Sequence, residues 1–324
     1  MSSFLITGGA GFIGSHIVRR ILKDGGKVRV IDNLSTGKKE RLHDLEGAIE
    51  FISEDLSDPS VCDAAVSGIE YVVHQAAVPS VQRSIQDPRG TNRANVTGTL
   101  NLLESCRKHS VKKVVYAASS SAYGDTPVLP KSEDMPANPL SPYALQKFVG
   151  ERYCKLYHAL WGLETVSLRY FNVFGPDQDP LSEYSAVIPK FATRLQTGQP
   201  LVVYGDGEQS RDFTYVENVV EANLLALKAT RGGGAVINIG CGSRLTLNQL
   251  IQCLEEILGV RAVVDYQKPR PGDVRDSLAD IRLARELLGY EPKVAVEEGL
   301  RRTVEFFVSK CADYRPSGAS NGSR

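Results

Sequence analysis

Tyr143 and Lys147 stand four residues apart in Tyr143-Ala-Leu-Gln-Lys147, which places a phenol and an ammonium on one face of a helix. An isolated phenol loses its proton near pH ~10, too high for proton transfer at neutrality. A nearby ammonium and any second positive charge bound beside it favour the phenolate, so Tyr143 can then take or give a proton near neutral pH. Ser119-Ser120-Ser121 follows the apolar run Lys113–Ala117 and so sits at a strand's carboxyl end. A hydroxyl there can hold the same substrate oxygen and relay its proton. By itself Tyr-x-x-x-Lys is common by chance and reads equally as a surface pair. Its weight comes from a second motif.

That motif is Gly9-Ala-Gly11-Phe12-Ile13-Gly14, with Gly8 giving the variant Gly8-x-x-Gly11-x-x-Gly14. Glycines serve the tight turn, the close approach of backbone to a pyrophosphate, and helix–strand packing. The helix that begins near Phe12 aims free N–H groups and its positive dipole end at phosphates. The loop follows an apolar strand and opens an amphipathic helix. Asp32 follows Gly14 by 18 residues, at the end of the next strand. A carboxylate there accepts hydrogen bonds from ribose hydroxyls and repels a 2′-phosphate, which favours NAD over NADP. Lys38 and Lys39 lie nearby and temper that preference. Asp55, after the third strand, reads either as a partner for the adenine or as a helix cap or solvated acid.

These residues need a scaffold that brings strand ends together. Short β-branched runs at Phe4–Thr7, Lys27–Ile31, Ile49–Ser53, Tyr71–His74, Lys113–Ala117 and Thr165–Leu168 predict strands. Helical patterns near Phe12–Lys23, Ser60–Val66, Thr91–Lys108 and Pro142–Leu160 alternate with them. The alternation predicts an α/β fold, a doubly wound parallel sheet with ligands at the strands' carboxyl ends. Beyond it, Gly175–Pro180 reads as a loop, Val219–Leu227 as helix and Val236–Ile239 as a strand that returns to the sheet. Leu245–Leu258, Ala279–Leu288 and Val296–Val308 read as helices of a smaller lobe. The division is residues 1–172 for the nucleotide domain, with segments around 212–240 rejoining it, 173–312 for the lobe, and a small-polar tail over 313–324.

Composition removes other classes. The 324 residues carry 38 basic and 38 acidic side chains, which argues against binding nucleic acid by bulk positive charge. No run reaches the roughly 18 apolar residues of a membrane helix, and no signal-like segment precedes the first strand. The six cysteines are scattered without Cys-x-x-Cys spacing, which reads as reduced thiols in a cytoplasmic protein rather than a disulfide or zinc framework.

Taken together, Thr7-Gly-Gly-Ala-Gly-Phe-Ile-Gly14, Ser119-Ser-Ser-Ala-Tyr-Gly124, Tyr143-x-x-x-Lys147, Arg169-Tyr-Phe-Asn172, Gly205-Asp-Gly-x-x-x-Arg-Asp212 and Arg270-Pro-Gly-Asp273 resemble the extended short-chain dehydrogenase/reductase family. The nearest subgroup is the nucleotide-sugar 4-epimerases. His74–Ser84, Tyr184–Pro189 and Ser210–Phe213 are similar to members that act on UDP-N-acetylglucosamine. The resemblance implies a Rossmann-type NAD domain with a smaller C-terminal α/β lobe for the UDP-sugar. It implies that Gly8, Gly11, Phe12, Ile13, Gly14, Asp32, Asn33, Ser35, Thr36, Gly37, Asp55, Leu56, Gln75, Ala76, Ala77, Asn95, Tyr143, Lys147 and Tyr170 hold NAD. Ser80, Ser119, Ser120, Ser121, Tyr143, Asn172, Val187, Tyr204, Arg211, Arg270, Asp273 and Ser277 would meet the UDP-sugar. A guanidinium suits a pyrophosphate that must stay bound while the sugar moves. Tyr204 reads equally as a strand aromatic in the core. The helices near Thr91–Lys108 and Pro142–Leu160 would pair across a two-fold axis as a homodimer.

Dehydratases of the family carry an Asp-Glu pair where this chain has Ser120 and Ser121, so water elimination lacks its acid and base. Epimerisation needs what is present: Tyr143 deprotonates the 4-hydroxyl, a 4-keto sugar forms, turns and is reduced on its other face. By alignment the sugar pocket includes Ser277, where glucose-restricted members resemble one another in carrying tyrosine. Serine leaves room for an N-acetyl group, or it is a cap for the helix after Ala279. Arg83 keeps a uronic acid in view, since a cation suits a carboxylate. A net dehydrogenase and a non-catalytic nucleotide sensor on the same fold stand as alternatives.

Overall fold

The computed structural model describes residues 1–179, 187–269 and 274–313. Arg270, Asp273, the first half of Tyr184–Pro189 and the tail from residue 314 lie outside that range, so the expectations placed on them are not addressed. The first half alternates β1 (Ser3–Thr7), α1 (Phe12–Lys23), β2 (Lys27–Ile31), β3 (Ile49–Ile52), α2 (Pro59–Val66), β4 (Tyr71–His74), α3 (Val81–Gln86), α4 (Pro88–Asn92), α5 (Gly98–Lys108), β5 (Lys113–Ser119), α6 (Pro142–Trp161) and β6 (Thr165–Tyr170). With strand Ala235–Ile239 beside β6, these strands form one seven-stranded sheet in the order β3-β2-β1-β4-β5-β6-(235–239). Every pairing in it is parallel. The order reverses between β1 and β4, which makes a crevice at their carboxyl ends.

The sheet is covered on both faces, so its strands read as continuous apolar runs. All six residues of β6 are buried. Alternate residues feed two cores. Ile6, Val30, Val73, Val115 and Leu168 join Ile17, Val18 and Ile21 of α1 on one face. Leu5, Ile31, Val72, Val114 and Tyr116 join Cys62, Leu102 and Cys154 on the other. Each such aliphatic side chain contributes about 1.5–3 kcal/mol on burial. The first core runs on into helices Val187–Gln196, Leu247–Leu258 and Val296–Asp313 through Leu195, Leu250, Leu254, Leu300 and Val304.

Two expected helices differ. Thr91–Lys108 is helical throughout as expected, but it carries a π turn at Arg93–Thr97 between α4 and α5. Asn95 is buried in that turn and its side chain bonds Val78 and Gln146, contacts that the apolar periodicity does not report. The helix expected from Ala279 begins at Arg282. Ala279 instead bridges Lys131, and its amide donates to Asp212, so Ser277 is not a helix cap. No helix among the described residues is long and apolar enough to cross a membrane. The five described cysteines are free thiols.

Candidate functional site

At the carboxyl ends of β1, β4 and β5 lies a cleft of about 1260 Å³. Its lining includes Gly8, residues 11–14, 31–38, 54–56, 75–83 and 118–121, and Tyr143, Tyr170, Asn172, Arg211 and Ser277. Two regions distant in sequence, the glycine loop and the serine–tyrosine group, thus share one cavity.

The glycine loop is built for an anion. Gly8 has φ +67°, and a Cβ on it would lie 2.7 Å from the Ala76 amide nitrogen. A Cβ on Gly14 would lie 2.1 Å from the Gly8 carbonyl oxygen. At Gly8 and Gly14 the backbone therefore packs more tightly than any side chain allows. The N-cap of α1 is Gly11, which supplies no side-chain acceptor, and the first turn holds no acid. By contrast Ser141 caps α6 and Asp58 caps α2. The first amides of α1 are left for a ligand.

Beside them the buried Asp32 accepts from the amides of Ala10 (3.0 Å) and Leu34 (2.9 Å). Burial raises its pKa, against the two amides and the charge of Arg41. Asn33 donates to Asp55 at 2.8 Å, and Asp55 also accepts from the Ser57 amide. Asp55 caps no helix; the α2 cap is Asp58. A cation the sequence did not single out, Arg41, reaches from segment 39–45 to the carbonyls of Ala10 (3.0 Å) and Asp177 (2.9 Å). Lys38 pairs with Asp179 at 2.7 Å, and Lys39 lies over the Phe51 ring. Gln178 also lines the cleft, and its Oε1 is buried without a partner. These contacts span more than a hundred residues and have no local signature. The tight glycines, the uncapped helix and the buried carboxylate fit an adenine dinucleotide at this end.

At the other end Tyr143, in the first turn of α6, shares the cleft with Ser119 at the end of β5, whose hydroxyl draws the phenol pKa down. Ser119 Oγ is 2.8 Å from Ser121 Oγ and accepts from the Ser121 amide. The backbone of Tyr143 is tied to Ser84 Oγ at 3.0 Å. Lys147 is buried one turn further and donates to the Ala117 carbonyl at 2.7 Å, 5.0 Å from the Tyr116 ring centroid. Burial pulls its pKa down to about 8. The phenolate therefore depends on a charge brought by a bound ligand. In the protein alone burial pushes the Tyr143 pKa up, Ser119 draws it partly back, and one of the three Lys147 N–H groups is held by Ala117.

Asn172 holds φ +29°, and its Nδ2 lies 3.1 Å from the Asp212 carbonyl and 3.5 Å from Ser277 Oγ. Ser277 is 6 % exposed. Arg211 lines the cleft and donates to the carbonyls of Ser210 and Arg275. Tyr204 and Val187 line a neighbouring cavity of about 330 Å³, which shares Asn172, Val173 and Arg211 with the main cleft. Asn95 and Lys147 sit behind the cleft wall rather than on it. No cluster of His, Cys, Asp or Glu among the described residues could hold a metal.

The fold, the glycine loop and the Ser119–Tyr143–Lys147 group define an NAD-dependent enzyme on a Rossmann-type sheet. The chain belongs to the NAD dependent epimerase/dehydratase family, whose sequence model matches residues 4–240. It is similar to a putative UDP-glucose 4-epimerase of Methanocaldococcus jannaschii, 41% identical over 304 residues, 93% of this chain and 97% of the relative. Among solved structures it resembles the UDP-N-acetylglucosamine 4-epimerase of Methanobrevibacter ruminantium M1 in complex with UDP-N-acetylmuramic acid. The TM-score is 0.91 at 42% identity, covering 95% of this chain and 99% of that one. It also resembles the UDP-glucuronic acid 4-epimerase of Bacillus cereus in complex with UDP-glucuronic acid and NAD. There the TM-score is 0.89 at 33% identity, with 95% and 99% covered.

Proposed function

We propose that this enzyme is a 4-epimerase of UDP-sugars that interconverts UDP-N-acetylglucosamine and UDP-N-acetylgalactosamine, and UDP-glucose and UDP-galactose as well. The observation that carries the reaction is that Tyr143 and Ser119–Ser121 line the same cleft as the uncapped glycine-loop helix. Gly8, Gly11, Gly14, Asp32, Asn33 and Asp55 would hold the adenosine and phosphates, and Gln75–Ala77 and Tyr170 the nicotinamide half. NAD, when bound, supplies a reversible oxidant and the positive ring charge that favours the Tyr143 phenolate.

Tyr143 takes the proton of the 4-hydroxyl as C4 is oxidised, and Ser119 holds that oxygen. The 4-keto sugar turns about its link to the diphosphate, and Tyr143 returns the proton once the opposite face is reduced. Arg211 and Asn172, with Arg270 and Asp273, would anchor the UDP, so the sugar end must be lightly held. It is lined by the small hydroxyls of Ser120, Ser121 and Ser277. Among the described residues the carboxylates that line the cleft, Asp32, Glu54, Asp55 and Asp179, lie at the glycine-loop end, and no acid–base pair among them stands beside the serines for dehydration. The small buried Ser277 supports acceptance of the acetylated sugar.

A second reading, UDP-glucuronate, is favoured by Arg83, which lines the same cleft. We also propose a dimer through α5 and α6, because α6 leaves Leu145, Leu156, Leu160 and Trp161 about half exposed; a monomer by light scattering overturns it. The test of function is a product assay on purified protein without added NAD. UDP-N-acetylglucosamine, UDP-glucose and UDP-glucuronate are supplied separately and the 4-epimers resolved by chromatography. Conversion of the acetylated sugar is expected. Conversion of glucuronate alone moves the substrate to Arg83, and stoichiometric accumulation of reduced cofactor marks a dehydrogenase instead.

A further inference from the structure

His74 ends β4 and is 1 % exposed, yet no step of the proposed chemistry uses it. Each ring nitrogen has one partner. Nδ1 lies 2.7 Å from Thr7 Oγ1, and Nε2 lies 2.9 Å from Thr99 Oγ1. The partners decide the direction of both bonds. Thr99 Oγ1 is 2.7 Å from the Asn95 carbonyl oxygen, which can only accept. Thr99 therefore spends its proton on Asn95 and accepts from His74, so Nε2 carries the ring proton. Nδ1 then accepts from the Thr7 hydroxyl. Thr7 Oγ1 in turn accepts from the Ala76 amide at 3.1 Å. The chain runs one way: Ala76 amide, Thr7, His74, Thr99, Asn95 carbonyl.

Asn95 meets the same loop a second time. Its Oδ1 accepts from the Val78 amide at 2.8 Å, while its Nδ2 donates to Gln146 at 2.8 Å. Residues 76–78 are thus pinned at two points, and both lead to the π turn at Arg93–Thr97. Such turns are over-represented at functional sites. The pinned loop is also the wall against which Gly8 packs.

We infer that His74 is a positioning residue for the cofactor: as a neutral Nε2–H imidazole it fixes the Gln75–Val78 loop between the glycine loop and Asn95. The inference rests on the NAD site proposed above. The groups facing the ring are Thr7, Thr99, Tyr116, at 5.5 Å between ring centroids, and the Lys147 cation. A second proton on the ring would turn Nδ1 into a donor and break the bond from Thr7. Burial, helped by the Lys147 charge, holds the pKa down to about 3, so the chain persists across the physiological range.

The experiment has two arms on the full-length protein. Long-range ¹⁵N–¹H spectra of histidine-labelled wild type should show one ring as the Nε2–H tautomer with no titration between pH 5 and 9. An Nδ1–H tautomer, or titration of this ring in that window, overturns the inference. In the second arm, His74→Phe keeps an aromatic ring and breaks the chain, while Thr99→Val cuts one link further on. Both should raise the Kd for NAD roughly tenfold or more, as expected when buried polar groups lose partners. The KM for UDP-sugar at saturating NAD should stay near wild type. If neither variant weakens NAD, His74 merely fills space and the inference fails. If His74→Phe does not fold, Thr99→Val and the tautomer spectrum decide. Wild type that binds no NAD overturns the cofactor reading itself, whereas failure to convert any UDP-sugar leaves this test intact and sinks the proposed function alone.

Discussion

The two ends of the cleft are built by opposite means. The glycine-loop end is made of backbone: Gly8 and Gly14 leave no room for a Cβ, and Asp32 is fixed by two amides. The sugar end is made of small side chains from distant segments: Ser119–Ser121 after β5, Asn172 after β6, and Ser277. One end is rigid and shaped to keep its ligand. The other is short in contacts and roomy. An epimerase needs that asymmetry, because a cofactor regenerated in every turnover should stay while the sugar must turn.

The largest effect that would break the comparison is on the proton carrier between the ends. Tyr143→Phe keeps the ring and loses the hydroxyl that shares the cleft with Ser119. Turnover should fall by roughly 10²–10⁴-fold, the range for a positioned acid–base group, with NAD and UDP affinity within a few-fold by calorimetry. Retained turnover would remove Tyr143 from the chemistry. Unchanged output with intact binding would restore the sensor reading.

Next is the rigid end. A Cβ at Gly14 would fall 2.1 Å from the Gly8 carbonyl, with no flexible side chain able to yield. Gly14→Val should leave purified protein without NAD by absorbance and lower the thermal midpoint by several degrees. A variant that co-purifies with NAD at wild-type occupancy would show that the loop yields more than its packing implies.

The same asymmetry explains what could be read in the sequence. The glycine loop, Asp32, the six strands and the Tyr143–Lys147 pair are local patterns, and local periodicity reports them. The π turn at Arg93–Thr97, the Arg41 and Lys38 contacts to residues 177–179, and the late start at Arg282 are not local. They depend on partners tens to over a hundred residues away. The Tyr143 phenol shows the limit on chemistry: spacing puts an ammonium on the same helical face, but only the fold shows that the phenol is buried, which raises its pKa, and that one Lys147 N–H is held by Ala117.

A smaller effect sharpens the roomy end. Ser277→Tyr would put a ring beside Asn172 at a position that is already buried. Epimerisation of UDP-N-acetylglucosamine should fall by about tenfold or more, while UDP-glucose is spared within about threefold, as expected when one pocket wall rejects a substituent. Equal loss on both sugars would mean that Ser277 supports the fold, and retained acetylated turnover would remove it from the sugar pocket.

The smallest effect concerns stability. Lys147 is buried, and its pKa falls from 10.5 to about 8. A base with a depressed folded-state pKa costs stability while it must be held protonated. Below pH ~8 folded and unfolded chains both carry the proton, and the cost is full. Between about 8 and 10.5 the unfolded chain still binds the proton and the folded chain has released it, so stability rises with pH. Lys147→Met removes this dependence and forfeits the bond to Ala117. At pH 7 the variant should lie within about 2 kcal/mol of wild type in urea unfolding, because relief of the buried charge opposes the lost hydrogen bond. From pH 8 to 10 wild type should gain on the variant. Parallel stability curves over that window would mean that the buried ammonium carries no such penalty, and that a water or bound ligand solvates it.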